Sequence, residues 1–210
     1  MSKIKNILRK CIRYNLKRKN RKNLKNFNFT IISNNCLGGV ISNELGQRFN
    51  SPTINLFFDS TDFLKFIKNM EHYLDYEWKD ISSDKDTYPK AKIDDITLNL
   101  VHYNSFEEAK LKWNERKVRI NYDNIFVIAC QRDGWTRQQI EEFDKLHYKN
   151  KVIFTTKEMQ NFDSAYHIQN TDCENENMII NIMTYKDDFS GKRWFDDFDF
   201  VSFFNNGLSK

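Results

Sequence analysis

The chain has 210 residues with only 2 Pro and 6 Gly, which suits one domain plus a tail and leaves no flexible linker. Aromatic residues make up 15%, and the apolar runs are short and regularly spaced, which excludes a disordered chain. None approaches the roughly 18–20 residues that cross a bilayer, and the polar, basic start lacks the apolar core of a secretory signal. The net charge of +4 is unevenly spread: residues 1–43 hold eleven Lys and Arg and no acid, so this stretch carries +11 and the remainder −7. Such a split calls for an anionic partner of the arm.

The arm, residues 1–26, comes first. Ile4, Ile7, Leu8, Cys11, Ile12 and Leu16 recur at three- and four-residue steps, so they share one face of a helix whose other faces carry Lys and Arg. Three partners fit it. An anionic membrane surface suits a basic amphipathic helix. The chain's own body suits the apolar face. Nucleic acid ranks last, because no aromatic residue interleaves Lys17 to Lys25 and the body is acidic.

The body, residues 27–210, opens with Phe27, Phe29, Ile31 and Ile32, a buried first strand, followed by the polar, glycine-bearing turn Ser33 to Gly39 and a helix over Val40 to Leu45. Pro52 breaks the chain, and Thr53 to Phe58 read as a short strand or loop. Ser60 is the expected N-cap of one helix from Thr61 to Leu74. A strand over Ile96 to Tyr103 and a Ser105-capped helix from Phe106 to about Arg119 follow, with Ser105 and Glu108 at capping-box spacing. Asn124 to Cys130 is a continuous apolar run, the mark of a strand buried on both faces. After the turn Gln131 to Gly134, Thr136 caps a helix to about Leu146, and Lys151 to Thr155 is a further strand. Residues 160–190 are too polar to assign, and Trp194 to Phe204 is expected to pack as a terminal helix or clasp. The alternation of strands and helices predicts an α/β fold: a mostly parallel sheet with helices on both faces, in three layers. In such folds ligands bind beyond the carboxyl ends of the strands, where Ser33 to Gly39, His102 to Ser105 and Gln131 to Gly134 fall.

Several segments together carry a resemblance. They are Asn34-Asn35-Cys36-Leu37-Gly38-Gly39, Phe49 to Thr53, Asp62 to Phe66, His102-Tyr103, Glu107 to Trp113, Arg132-Asp133-Gly134, Phe143 to Leu146 and Lys149 to Thr155. In this order, over residues 27–205, the chain resembles the bacterial family called the domain of unknown function nineteen-nineteen, whose members are often labelled exopolysaccharide or capsule biosynthesis proteins. The resemblance implies an α/β fold and a role in surface-polysaccharide assembly, with a saccharide or lipid-linked saccharide as substrate, and it implies no reaction. One departure stands out: the family usually has Trp after the cysteine, where this chain has Leu37. A ring there that stacked on a sugar or acyl group would make substrate choice differ here.

The residues themselves suggest a chemistry. The four cysteines, Cys11, Cys36, Cys130 and Cys173, are far apart and form no CxxC pair, which argues against a zinc site or a disulfide framework and for reduced thiols in the cytosol. Cys36 sits where a helix N-terminus would favour its thiolate and where free N–H groups would stabilise an oxyanion. His102 is the expected base, Asp133 the group that orients it, and Asn34 or Asn35 an added amide donor. Gly38, Gly39 and Arg132 complete the expected substrate contacts. Acyl transfer to a sugar hydroxyl fits this set, with a donor such as acetyl-CoA. A glycosyltransferase is the rival: the glycine turn would hold the diphosphate of a nucleotide sugar, although no GxGxxG, GxxxxGK[ST] or DxD motif is present. A non-catalytic scaffold at the inner face of the membrane is the third reading. Against all three stands a packing role, since cysteine is among the residues most often buried.

Overall fold

A computed structural model describes residues 3–132, 134–173 and 176–208, and only the backbone at 3, 4, 176 and 177. Asp133 and the Ile4 side chain thus lie outside the described residues. In chain order the elements are α1 (Lys3–Asn23), β1 (Thr30–Ser33), α2 (Leu37–Leu45), α3 (Ser60–Lys68), α4 (Met70–Asp75), β2 (Trp78–Asp80), β3 (Lys90–Ile93), β4 (Ile96–Asn99), α5 (Phe106–Lys117), β5 (Ile125–Cys130), α6 (Arg137–Asp144), β6 (Asn150–Thr155), β7 (Ala165–His167), β8 (Asp172–Cys173), β9 (Glu176–Ile179) and α7 (Phe200–Asn206).

The main sheet is parallel throughout, in the order β1-β5-β6-β7, with Ile32 opposite Val127 and Ile128 opposite Val152. Because strand side chains alternate between faces, the apolar runs feed two cores. Ile31, Phe126, Ile128 and Phe154 pack with Leu37 and Ile41 of α2 and with the C-terminal aromatics Phe198, Phe203 and Phe204. Ile32, Val127, Ala129 and Ile153 pack on the other face with Phe63 and Phe66 of α3, Trp113 of α5, and Ile140 and Phe143 of α6. Helices therefore cover both faces, as the α/β reading expects. The terminal clasp is a short 3-10 turn, Trp194–Asp197, followed by α7, whose Phe204 stacks on Phe29 at 4.5 Å between ring centres.

Two expectations are corrected. The strand over Ile96 to Tyr103 ends at Asn99 and runs antiparallel to β3, which in turn pairs with β2 in a separate three-stranded sheet. The two-residue connection Asp94-Asp95 closes the hairpin, with Asp94 in the left-handed region at φ 52°. The single helix over Thr61 to Leu74 is broken at Asn69, whose extended φ of −137° separates α3 from α4. Its N-cap is Asp59. Ser60 is the first helical residue, and its hydroxyl donates to the Gly134 carbonyl at 3.1 Å.

The arm docks on the body by its basic side together with Ile12 and Leu16 of its apolar face, both half-buried. Arg13 is buried and donates to Glu44 (Nε to Oε1, 3.1 Å, and a second bond from Nη2) and to Asp196. Burial opposes its charge, but the hydrogen bonds and charges of these two carboxylates outweigh that, so its pKa is held above the usual arginine value. Arg21 donates to the Glu44 carbonyl at 2.8 Å, and Leu24 is buried at the end of the contact. Ile7 and Leu8 point outward. An acidic body offering Glu44 and Asp196 binds the basic side of the helix, Ile12 and Leu16 turn toward that body, and Ile7, Leu8 and Cys11 are left exposed.

Candidate functional site

The site begins where β1 ends. Asn34 is fully buried. Its side chain carries the β1–β5 pairing one step further: Oδ1 accepts the Cys130 N–H at 3.1 Å, and Nδ2 donates to the Cys130 carbonyl at 3.4 Å. Asn35 turns the chain, its Oδ1 accepting the Leu37 N–H at 3.0 Å. Both asparagine side chains thus hold the turn together. Cys36 follows as the N-cap residue of α2, half-buried, with its thiol donating to the Leu56 carbonyl at 4.0 Å.

Gly38 is required by packing. A Cβ there would lie 2.8 Å from Ser33 Cβ and 3.0 Å from Ile31 Cγ2, so only glycine lets α2 sit this close to β1. Gly38→Ala is expected to lower stability by about 1–3 kcal/mol in urea denaturation, the usual range for overpacking. Leu37 is 1% exposed and packs in the core. A side chain at this position thus points into the interior rather than toward a substrate.

A second wall comes from the loop after Pro52. Asn55 holds a left-handed backbone at φ 68°, a conformation asparagine tolerates better than most residues. Its carbonyl accepts the His102 N–H at 3.3 Å. Next to it, the Ile54 carbonyl accepts from the buried Tyr103 hydroxyl at 2.8 Å, and Arg116 donates to that hydroxyl at 2.7 Å. Burial raises the Tyr103 pKa, against the pull of Arg116, so the phenol stays protonated and donates.

Between these walls lies an open cavity of about 310 Å³ lined by Cys36, Gly39, Asn55 and His102, with Lys17 of α1, Glu44 of α2 and Arg193 at its edge. Lys17 Nζ and Arg193 Nη1 lie 3.7 and 3.5 Å from Glu44. Three other clefts, two of about 400 Å³ and one of about 410 Å³, are larger, but among the described residues no cysteine, serine or threonine lines any of them. The smaller cavity alone among these four combines a thiol with an imidazole among its described lining residues.

Of the expected site residues, Cys36, His102 and Gly39 therefore meet. His102 reaches the cavity from the turn after an antiparallel strand, and its side chain is exposed and makes no hydrogen bond among the described residues. Asn34, Asn35 and Gly38 stand behind the cavity as its frame. Arg132 lies in the turn after β5, its N–H donating to the Cys130 carbonyl at 2.7 Å, and does not line the cavity. Asp133 lies outside the described residues. Lys17, Glu44, Asn55 and Arg193 were missed. Glu44 alone carried a signal, as the first acid after a long basic stretch.

A parallel sheet with a cysteine at a helix N-terminus beyond its carboxyl edge defines an α/β protein with a potential nucleophile site. Residues 7–205 match the family described as Domain of unknown function (DUF1919), and the chain belongs to it. A relative from Haemophilus influenzae, described as an uncharacterized protein, is 38% identical over 204 residues, covering 97% of each chain.

Proposed function

We propose that the chain is a transferase of surface-polysaccharide synthesis, working at the cytoplasmic face of the membrane, that moves an acyl group from a thioester donor to a saccharide hydroxyl through Cys36. The observation that carries this reading is the shared cavity of Cys36 and His102, residues far apart in the chain. His102 takes the Cys36 proton, and the thiolate attacks the donor's carbonyl carbon. The donor thiol leaves with the proton from His102, and the acyl group stays on Cys36. A sugar hydroxyl then gives its proton to His102 and attacks the same carbon. The Cys36 sulfur departs and recovers that proton, completing the cycle. Of the N–H groups at the start of α2, Leu37's is held by Asn35, and those of Gly38 and Gly39 are the ones assigned to the carbonyl oxygen as it becomes negative. The saccharide acceptor rests on the chain's resemblance to proteins labelled for capsule and exopolysaccharide synthesis.

Incubation with acetyl-CoA followed by peptide mass spectrometry tests the reading. The peptide holding Cys36 is expected to gain one acetyl group, which hydroxylamine removes. Acetylation at another residue, or none, contradicts it. A second reading draws on Lys17 and Arg193 at the cavity's edge, a pair of cations suited to the diphosphate of a nucleotide sugar. It requires that a nucleoside diphosphate raise the melting temperature, since a ligand that binds only the folded state stabilises it.

A further inference from the structure

We infer that the outward face of α1 is a docking surface for an anionic lipid bilayer. The helix is held through Arg13 and Arg21, with Ile12 and Leu16 half-buried on the same side, and through the close passage of Gly191, where a Cβ would lie 2.9 Å from the Arg9 carbonyl oxygen and 3.1 Å from Ile12 Cγ2. The opposite side carries Ile7, Cys11 and Tyr14 at steps of four and three, with Leu8 beside them. Ile7 is 61%, Leu8 49% and Tyr14 66% exposed. Around this stripe stand Lys10, Arg18, Lys19 and Lys22, all exposed and without an ion-pair partner among the described residues. The helix contains no acid, and none of its described stretch is long and apolar enough to cross a membrane.

An apolar stripe bordered by unpaired cations selects among occupants. Nucleic acid has no use for the exposed Ile7 and Leu8. A second copy would bring two cationic faces together, which repel. An anionic bilayer meets both features, taking the stripe into the acyl boundary and the cations among the headgroups. The helix is already formed and clamped, so docking does not have to order it. Lys17 of the same helix lines the Cys36 cavity, which puts a docked bilayer about one helix diameter, ~10–12 Å, away. On the transferase reading above, and resting on it, the acceptor is a lipid-linked saccharide.

Flotation of the full chain with vesicles tests the surface, using phosphatidylcholine alone and phosphatidylcholine with about one-third phosphatidylglycerol. The chain is expected to float with the anionic vesicles only, and less at high salt. The double variant Ile7→Asp/Leu8→Asp is expected to lose at least about ten-fold in binding while keeping its melting temperature, since both side chains face solvent. Lys10→Glu and Lys19→Glu are each expected to cost about five-fold or more. Cys36→Ser is expected to bind as the unaltered chain does, so that failure of the catalytic reading is distinguishable from failure of this one. Three results overturn the inference: no flotation with anionic vesicles at low salt, binding indifferent to Ile7→Asp/Leu8→Asp, or self-association in sedimentation that this double variant abolishes.

Discussion

Cys36→Ser is expected to reduce acyl transfer at least about a hundred-fold while leaving the melting temperature within about 2 °C of the unaltered chain. The size follows from the loss of the only thiol in the cavity, since serine at the same place is a far weaker nucleophile without strong activation. The small stability change follows from the side chain's setting. Cys36 is half-buried, caps no N–H of α2 with its sulfur, and its long contact to the Leu56 carbonyl is one that a hydroxyl can also make. His102→Asn is expected to fall in the range for removing a general base, about 10²–10⁴. Rate assays on purified variants with thioester donor and saccharide acceptor check both. A Cys36→Ser chain that matches the unaltered chain in acyl transfer removes covalent catalysis from the account.

Glu44→Ala is expected to destabilise the chain by about 3 kcal/mol. Glu44 is buried between Arg13, Lys17 and Arg193, and its carbonyl also accepts from Arg21. Removing one partner of a buried pair leaves an uncompensated charge and costs about 3–5 kcal/mol. The lower end applies because Asp196 still faces Arg13. For a chain of this length that corresponds to a fall in melting temperature of about 6–12 °C. The same variant is expected to loosen α1, so trypsin should remove the arm faster than it cuts the body. A shift under about 2 °C, with the arm still protected, would mean that the charge cluster does not hold the helix.

Much of the fold was legible because it rests on local signals. The run Ile125 to Cys130 gave the central strand, Thr136 with Gln139 forms the capping box that starts α6, and Ser105 accepts the Glu108 N–H at 3.1 Å as a helix cap should. The turn after β1 was placed correctly, with the cysteine at the head of a helix. What was not legible depends on partners distant in sequence. β2 and β3 have Lys79 and Lys92 opposite each other on their solvent side, so each short strand reads as polar until Trp78, Ala91 and Ile93 meet on the buried side. The docking face of α1 was legible only in part, through Ile12 and Leu16, which turn toward the body. Its apolar residues mark one side, but the acids that attract the other side, Glu44 and Asp196, lie far along the chain. The candidate site divides in the same way. Cys36 announced itself by its turn, whereas Lys17 and Arg193 come to the cavity only through the docked arm and the C-terminal clasp.

The most direct test of the central claim is the pH dependence of iodoacetamide labelling at each cysteine of the folded chain, read by mass spectrometry. Cys11 is exposed on α1 and Cys130 is buried in the sheet, so the molecule carries its own accessible and inaccessible references. The account requires Cys36 to label faster than Cys11 below about pH 7, because a thiolate at a helix N-terminus is stabilised. Cys36 inert until the chain unfolds, as expected of Cys130, would contradict the account and make it a packing residue.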